Sequence, residues 1–581
     1  MPEPHRVPWS GHARAPATAL LRAFAAGLAG GSCALLLRFV IVELPRLVWP
    51  HASDLVQAVA LADPVRRVAV PIIGAALAGA VLTLGLRWSK AASGWDVLEA
   101  VVLRNGVLSL RSTLVRVASA IVTQAAAAPV GREGPIVLMS GTAASVLGRR
   151  MGVPTRQLRV LVGCGVAAGL ACAYNAPVGA ALFTMEIIFG SFALEIFAPL
   201  VVASVTATVL TWVTFGRAPL FEVPSLVMAS PWEIIPHAAL GVVGGAVAAL
   251  FLLALRASAA MFSRSRLPRP AAMALAGLVS GLVMLWFPEI VGNGRDAIAA
   301  LFQRQWALGT VLALLALRLI VTPLTVGSGA VGGVFTPTLF IGAMLGQAFG
   351  TGVAYLMPGL HTHSGAYALT GMACLLAGTT HAPMTATLMV FEMTLDYNVV
   401  VPLLLGSAIA SLVAARFSAA SVYTEVLERQ ATALDEAGGA RRVEALRVGD
   451  LMRPEQVTVP PDCPATTLLE TFVGVRRNHL YVVTEDQRFI GAVNLHDLNA
   501  ALKDEARTET IRAGDLANTR FATTTRDEPV LGAMEKFERQ ECERLPVVAD
   551  LESRRLLGTI SKRDILSAWA RERLGQSTPG T

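Results

Sequence analysis

The chain has 581 residues, of which 54% are hydrophobic and only 15% are charged, and its mean hydropathy is +0.57. This composition is too apolar for an ordinary soluble enzyme and indicates a polytopic α-helical protein whose partner is the lipid bilayer. The formal net charge is +7, but no basic run interleaved with aromatic residues occurs, so nucleic acid is not expected as a partner. Basic cytoplasmic loops explain the excess of Lys and Arg better. The six cysteines show no C-x-x-C spacing, so neither a metal site nor a disulfide framework is expected.

The N-terminal residues 1–17 are polar and lack the apolar core of a signal peptide, so we expect them to stay cytoplasmic. A bilayer-spanning helix needs about 20 apolar residues. Two apolar stretches, 178–189 and 384–391, are too short to cross. We interpret them as half-helices that end inside the membrane, a pattern typical of an ion or substrate site in a transporter. The longer apolar segments are 17–44, 68–86, 114–130, 196–213, 234–255, 271–286, 308–326 and 400–415.

The stretch 131–135 has the sequence G-R-E-G-P and lies between apolar segments. It places Glu133 at bilayer depth, where an ionisable side chain by default faces a water-filled pathway. Pro135 suits the first turn of a helix, so Glu133 is expected just ahead of a helix N-terminus, which favours an anion. A tethered carboxylate at such a place can compete with a free anion, which predicts a gate. The alternative is that Arg132 and Glu133 form a helix-capping ion pair without a role in transport.

An internal repeat relates two halves of the apolar region. The sequence N-A-P at 175–177 is followed nine residues after its proline by Glu186, and H-A-P at 381–383 is followed at the same distance by Glu392. Both the prolines and the glutamates are 206 residues apart, which indicates a duplicated unit. The expected boundaries are 18–423 for the membrane domain, with repeats at about 18–215 and 230–423.

The composition changes sharply after Tyr423. Beyond it, G-D-L at 449–451 recurs at 514–516, and the strand-like residues 480–483 recur at 545–548, both 65 residues later. Each copy is predicted to contain a helix, a short strand, a polar turn, a short strand and a helix, so the tail is a small soluble α/β pair. The expected boundaries are 424–447 for a linker, 448–504 and 513–571 for the two modules, and 572–581 for a tail.

The two modules resemble a tandem CBS-domain pair. In that family, a hydroxyl and a carboxylate in a G-x-x-[S/T]-x-x-D motif hold the ribose of an adenine nucleotide. The second module carries this motif with Ser561 and Asp564, whereas the first has Asn494 in the hydroxyl position before Asp497. The resemblance therefore implies an adenine nucleotide at Ser561, Asp564 and Asp497. A purely structural pair that dimerises the cytoplasmic side is the alternative.

The membrane half resembles the CLC family of chloride channels and chloride/proton exchangers. Residues 131–135 match that family's G-R-E-G-P stretch without a change, and G-G-V-F-T-P at 332–337 resembles its second anion-binding stretch. Ser93 falls where the family has its chloride-ligating serine. Tyr423 falls where it has its chloride-ligating tyrosine, at the end of the last membrane helix. The four stretches occur in the family's order, and a CBS pair follows them as in many members.

The resemblance implies a homodimer of two pores, in which each subunit is built from two inverted repeats. It assigns gating to Glu133 and chloride binding to the amides of Val334 and Phe335 and the hydroxyls of Ser93 and Tyr423. Such neutral donors bind chloride weakly enough for it to leave. From the residues alone, Tyr423 could instead be an interfacial aromatic anchor and Ser93 a helix N-cap. One departure is W-D at 95–96, where the family's first stretch continues to a proline.

The resemblance also bears on proton coupling. Proton-coupled members carry a second glutamate after the one matched by Glu186, and this chain has Ile187 at that internal proton site. An isoleucine cannot carry a proton, so a voltage-gated chloride channel is favoured, with a chloride/proton antiporter as the alternative. Two other interpretations are a nucleotide sensor with a membrane anchor and a cation transporter using Glu186 and Glu392. No enzyme motif or metal-ligand set occurs in the apolar half, so no enzyme activity and no required cofactor are expected.

Overall fold

The chain divides into two compact units, Met1–Val426 and Leu427–Thr581. Most of the predicted linker, all of the predicted tail and residues 1–13 of the N-terminus lie outside the described residues. The computed structural model describes residues 14–425 except 90–96, 104, 224–229, 305 and 359–362, and residues 446–565 except 455–456, 476–478, 502–509, 541, 543 and 563.

The first unit is built from α-helices. Among its described residues, eight helices are long and apolar enough to cross a membrane, which confirms the predicted polytopic helical class. The π-helical segment Thr184–Phe189 continues directly from the eighth helix. In chain order the helices are α1 Arg14–Val48, α2 Leu55–Leu61, α3 Pro64–Ser89, α4 Val97–Leu103, α5 Leu110–Ala125, α6 Glu133–Arg150, α7 Thr155–Tyr174, α8 Pro177–Phe183, α9 Leu194–Phe215, α10 Ile234–Arg264, α11 Arg269–Met284, α12 Arg295–Gln303, α13 Leu308–Gly327, α14 Phe335–Leu356, α15 Ser364–Thr380, α16 Pro383–Thr394 and α17 Val400–Phe417.

Two helix junctions repeat the same local structure. Helix α7 ends where Asn175 takes the left-handed conformation with φ 55°, and Pro177 then opens α8. Helix α15 ends at His381 with φ 57°, and Pro383 opens α16. A left-handed residue terminates a helix, and proline starts the next one because its missing N–H would be unpaired in the first turn. The N-A-P and H-A-P motifs are thus the same structural device in the two repeats.

The two repeats cap each other's short helices. The Glu392 carboxylate accepts hydrogen bonds from the amides of Val178 (3.1 Å) and Gly179 (2.7 Å) at the start of α8. In return, the Glu186 carboxylate accepts from the amide (2.8 Å) and hydroxyl (2.7 Å) of Thr385 at the start of α16. A carboxylate satisfies the unpaired amides and the dipole of a helix N-terminus. The exchange is reciprocal, as expected for two inverted repeats.

The predicted span over 114–130 is wrong at its C-terminal end, because α5 stops at Ala125. Ala127 has a φ of 59°, and Pro129 cannot continue a helix. Irregular backbone inside a membrane is tolerated only where neighbouring protein satisfies its polar groups. The Thr322 hydroxyl does so for the carbonyl oxygen of Pro129, at 3.0 Å.

The second unit contains two modules with the same order of elements. In each, a two-residue strand pairs in parallel with the middle strand, which pairs antiparallel with the third. Tyr481 lies opposite Ala492 in the first module, as Pro546 lies opposite Thr559 in the second. The sequence predicted two strands per module and missed the first, which is too short to show an alternating pattern. The elements are α18 Val448–Leu451, β1 Thr458–Val459, α19 Ala465–Val475, β2 His479–Val483, β3 Phe489–Asn494, α20 Leu495–Ala501, α21 Ala513–Leu516, β4 Thr524–Thr525, α22 Val530–Gln540, β5 Arg544–Val548 and β6 Leu556–Ser561.

The two modules share a hydrophobic cluster. Tyr481 and Phe489 from the first module pack with Phe521, Phe537 and Ile560 from the second. Burial of large apolar side chains is the main favourable term in folding, so each module depends on the other for part of its core. The tandem pair is therefore a single structural unit.

Candidate anion site

The N-termini of α6 and α14 lie next to each other. The Gly131 amide donates to the Gly333 carbonyl (2.6 Å) and the Gly333 amide donates to the Gly131 carbonyl (2.8 Å). This single antiparallel bridge joins the segments that lead into both helices, which begin at Glu133 and Phe335. The first amides of a helix have no partner within it, and the helix dipole is positive there. Two such ends side by side form a place that favours an anion.

The Glu133 carboxylate occupies this place. Its Oε1 accepts hydrogen bonds from the amides of Phe335 (2.8 Å) and, more weakly, Thr336 (3.4 Å), and its Oε2 accepts from the Thr336 hydroxyl (3.2 Å). The residue is only 3% exposed. Arg132 takes no part in these hydrogen bonds and makes no side-chain cap, so the structure does not contain the alternative Arg132–Glu133 capping pair.

Glycine on both sides makes room for the carboxylate. A Cβ built on Gly131 would lie 2.0 Å from Glu133 Oε1, and one built on Gly333 would lie 2.2 Å from the same atom. Both distances are far inside van der Waals contact. Any larger residue at either position would therefore displace the carboxylate, which explains why both stretches carry glycine there.

Four aromatic rings gather at the start of α14. The Phe335 ring centroid is 4.8 Å from that of Tyr174 and 6.2 Å from that of Phe183. The Phe183 ring in turn lies 5.4 Å from Tyr423 in an edge-on arrangement. The structure thus brings Tyr423 to the same cluster as Phe335. Helix α17 ends earlier, at Phe417, so Tyr423 lies in a turn beyond that helix and not at its end.

Sequence analysis missed two hydroxyl groups at the site. Tyr174 Oη and Thr336 Oγ1 are 2.9 Å apart, and both residues are almost fully buried. Thr336 lies in the G-G-V-F-T-P stretch, to which the resemblance assigns chloride binding through backbone amides only. Tyr174 directly precedes the repeated N-A-P motif. Its position at the end of α7 was the feature of the sequence that could have indicated a place near the site.

A cavity of about 210 Å³ lies beside Arg132. Trp49, Gln124, Arg295 and Asp296 are among its lining residues. Arg46, Arg132 and Arg295 give the cavity three positive charges, which Asp54 and Asp296 offset in part. A cleft with excess positive charge raises the local concentration of anions. Arg132, which lines this cavity, directly precedes Glu133 in the chain.

The predicted site also includes Ser93 and Ile187. Ser93, together with the W-D departure at 95–96, lies outside the described residues. Ile187 lies in the π-helical segment Thr184–Phe189, where it is half-buried. Its neighbour Glu186 is engaged with Thr385 at the start of α16. The carboxylate next to Ile187 in the chain is therefore bound to another helix.

A cavity of about 230 Å³ lies between the two C-terminal modules, next to Asp497 of the first. His479 and Phe521 line it with rings whose centroids are 5.4 Å apart, and Asn494 and Asn518 add amide groups. Burial lowers the pKa of His479 below its ordinary value, and the Asp497 carboxylate opposes the shift. The imidazole is therefore neutral at neutral pH. The cavity combines two aromatic rings with hydrogen-bonding groups.

The corresponding place in the second module is already engaged. The Ser561 hydroxyl bonds to the Asp564 carboxylate, and Arg453 forms an ion pair with Asp564 at 2.7 Å. Arg453 holds the position that Asn518 holds in the other module, 65 residues later. The intact G-x-x-S-x-x-D motif thus lies where Asp564 already has partners. The open cavity lies beside Asp497, in the module whose motif is degenerate.

Comparison with known proteins gives the family of the chain. A sequence profile described as "Voltage gated chloride channel" matches residues 74–415, and one described as "CBS domain" matches 448–504 and 513–571. The chain belongs to the CLC family. A chloride channel protein of Ralstonia nicotianae, described as ClcB-like, is 41% identical over 62% of this chain and 86% of its own length. The voltage-gated ClC-type chloride channel ClcB of Citrobacter koseri is 33% identical over 64% of this chain and 90% of its own.

Solved CLC structures share the fold. A slow cyanobacterial Cl⁻/H⁺ antiporter has 26% identity and a TM-score of 0.63, over 71% of this chain and 97% of its own. A eukaryotic CLC transporter has a TM-score of 0.62 over 94% of this chain and 98% of its own, but at 19% identity it shows the fold alone. As a CLC protein, the chain is a chloride-transporting membrane protein with a CBS pair, and it is not an enzyme.

Proposed function

We propose that this CLC protein conducts chloride through a pore gated by Glu133. The observation that carries the proposal is the hydrogen bond from the Phe335 amide to the Glu133 carboxylate. That amide would otherwise serve a free anion, and two negative groups cannot share it. Chloride therefore passes only when the carboxylate leaves. Protonation from outside favours this step because it removes the charge that holds the side chain against the amides.

The remaining chloride ligands follow from the same geometry and the resemblance. The amides of Val334 and Phe335 stand at the start of α14, and Tyr423 lies in the aromatic cluster beside Phe335. We assign the Tyr423 hydroxyl to the same path from its place in this cluster, and the Ser93 hydroxyl from the family resemblance alone. Neutral donors suit an ion that must bind and leave quickly. The cavity at Arg132 is the outer mouth of this path.

We propose channel behaviour, voltage-gated as in the name of the Citrobacter koseri relative. Tight coupling to protons needs a titratable group between the cytoplasm and Glu133, because an apolar membrane core offers protons no other stepping stone. Ile187 does not provide one. A chloride/proton antiporter is the second candidate, and the 26% identity to a structure of that activity favours it.

A proton-uptake measurement separates the two candidates. Liposomes with reconstituted protein are loaded with high chloride and a pH indicator, and chloride is allowed to leave. We expect no uphill proton entry in the wild-type protein, because Ile187 interrupts the proton path. Ile187→Glu restores a titratable group and should allow proton entry, whereas the matched control Ile187→Leu should not.

Uphill proton entry in the wild-type protein that disappears in Glu133→Gln would establish the antiporter. Glu133→Gln serves in this experiment because an exchanger needs that carboxylate to carry the proton. Chloride efflux is recorded in the same vesicles, so an inactive preparation is recognised by its lack of efflux.

For the CBS pair we propose an adenine nucleotide at the cavity beside Asp497, between the two modules. The rings of His479 and Phe521 offer aromatic contacts to a base, and the Asp497 carboxylate accepts hydrogen bonds from the hydroxyls of a ribose. We favour Asp497 over Asp564 for this role, because Arg453 and Ser561 already engage the Asp564 carboxylate.

Calorimetric titration of the full chain with ATP tests this site. Asp497→Ala should weaken binding by about tenfold, the effect of losing one hydrogen bond to a charged group. Asp564→Ala makes the same chemical change in the other module and should leave the affinity within about twofold. The opposite ranking of the two variants would assign the nucleotide to the second module, and absence of binding in the wild-type chain would make the pair purely structural.

We also propose that the protein is a homodimer in the plasma membrane, with its N-terminus and CBS pair on the cytoplasmic side. Large apolar side chains are exposed along α9 and α17, including Val209, Val213, Leu404 and Leu412. Such surfaces need a covering of lipid or of a second copy.

A further inference from the structure

A chain of three side-chain oxygen atoms crosses the anion site. Glu133 Oε2 is 3.2 Å from Thr336 Oγ1, which is 2.9 Å from Tyr174 Oη. The three residues belong to α6, α14 and α7. Each is at most 3% exposed, so bulk water does not compete for these hydrogen bonds.

The direction of the hydrogen bonds follows from the ionised carboxylate. A carboxylate only accepts, so the Thr336 hydroxyl must donate its single proton to Glu133. The Thr336 oxygen is then an acceptor, and the Tyr174 hydroxyl donates to it. A hydroxyl that receives a hydrogen bond becomes a better donor, so Tyr174 strengthens the contact between Thr336 and Glu133. The Tyr174 ring packs against Phe335 with a centroid distance of 4.8 Å, which restricts the position of its hydroxyl.

We propose that Tyr174 and Thr336 act as a positioning pair that holds the Glu133 carboxylate in its pore-blocking position. The pair thereby sets the external pH at which the gate opens. This inference rests on the proposed gating role of Glu133 and adds two residues to it. Thr336 touches the gating carboxylate directly, and Tyr174 acts through Thr336.

Other charged groups act on the same carboxylate and stay constant in the test. Arg318 on α13 is fully buried, donates to the carbonyls of Ile290 and Gly292, and interacts electrostatically with Glu133. Tyr423 interacts electrostatically with Tyr174, on the side of the site that Tyr174 occupies. The charged and titratable groups around the site are Arg132, Arg318 and Tyr423, with Arg38, Arg295 and Asp296 around Arg132.

The test measures chloride efflux from liposomes over a range of external pH. Thr336→Val keeps the side-chain shape and removes the donor, so the carboxylate is protonated and displaced more easily. We expect the pH of half-maximal flux to rise by about one unit, the equivalent of one charge-assisted hydrogen bond. Tyr174→Phe should shift it in the same direction by less. Thr336→Ser should restore the wild-type profile.

Two matched controls make the same chemical changes elsewhere in the buried interior. Tyr367 is a fully buried tyrosine whose hydroxyl has no hydrogen-bond partner in the described structure, so Tyr367→Phe should leave the profile unchanged. The Thr338 hydroxyl bonds only to the Phe335 carbonyl, so Thr338→Val should also leave it unchanged. The double variant of Thr336→Val with Tyr174→Phe should shift no further than Thr336→Val alone, because both changes break one chain.

Wild-type profiles in both Thr336→Val and Tyr174→Phe would overturn the inference, and if Thr336→Val does not fold, Tyr174→Phe decides alone. The gating proposal fails separately. If Glu133→Gln keeps the pH dependence, Glu133 is not the gate. If Glu133→Gln loses it while the two hydroxyl variants match the wild type, only the positioning pair is wrong.

Discussion

Glu133→Gln is expected to make chloride flux independent of external pH and to raise it about tenfold at neutral pH, since each hydrogen bond to a charged group contributes about 1.5 kcal/mol or more. The glutamine has the shape of the protonated side chain and no charge with which to compete for the amide of Phe335. In the wild-type protein, flux should rise as the external pH falls. The measurement is chloride efflux from liposomes with the outer pH varied.

Glu186→Gln is the matched control for this variant. Glu186 is also a carboxylate bound at a helix N-terminus, but it caps α16 through Thr385. Its amide variant keeps an acceptor oxygen, and the pH dependence should persist. A pH profile that is the same in Glu133→Gln and in the wild type would contradict the gate.

Glu392→Ala is expected to lower the stability of the membrane unit by about 2 kcal/mol, because it leaves the amides of Val178 and Gly179 without their charged acceptor. The amides stand at the start of the short helix α8, which has few internal hydrogen bonds of its own. Thermal unfolding of the purified protein in detergent measures the loss as a lower melting temperature.

The control is Glu43→Ala. Glu43 forms an exposed ion pair with Arg46, in which both side chains are at least 40% accessible. Exposed pairs contribute about 0 to 1 kcal/mol, so this variant should melt close to the wild type. Equal melting of the two variants would mean that the exchange of caps between the repeats does not stabilise the fold.

Local signals account for what the sequence predicted well. Proline fixes where a helix begins, so Pro177 and Pro383 placed the short helices, and the glutamates nine residues later revealed the duplication. The G-R-E-G-P stretch placed Glu133 at a helix N-terminus in the same way. Such features depend on a few adjacent residues and can therefore be predicted without knowledge of the tertiary structure.

Hydropathy failed for two helices that other helices surround. The helices Gln157–Tyr174 and Phe335–Leu356 have a mean hydropathy of 1.4, and the other candidate spans in the described chain lie between 1.9 and 2.4. The first is 83% buried and the second 56%. A helix that contacts protein instead of lipid can carry more glycine, threonine and alanine. Both helices were therefore absent from the predicted spans.

Contacts between distant residues could not be predicted either. Tyr174 and Thr336 are 162 residues apart, and no sequence pattern in either segment indicates that their hydroxyl groups are in contact. In the same way, the G-x-x-S-x-x-D motif gave no indication that Arg453 forms an ion pair with Asp564. A motif specifies which groups are present, and only the fold decides which partners they already have.

The bridge between Gly131 and Gly333 constrains how this transporter moves. Many secondary transporters alternate access by rocking one repeat against the other as rigid bodies. Here such rocking would pull apart the two reciprocal backbone hydrogen bonds at the centre of the pathway. It would also break both exchanged caps. The smallest motion that clears the amides is a rotamer change of one side chain, which side chains complete in nanoseconds where they are free to turn. Transport by this chain is thus expected to proceed on a nearly static scaffold.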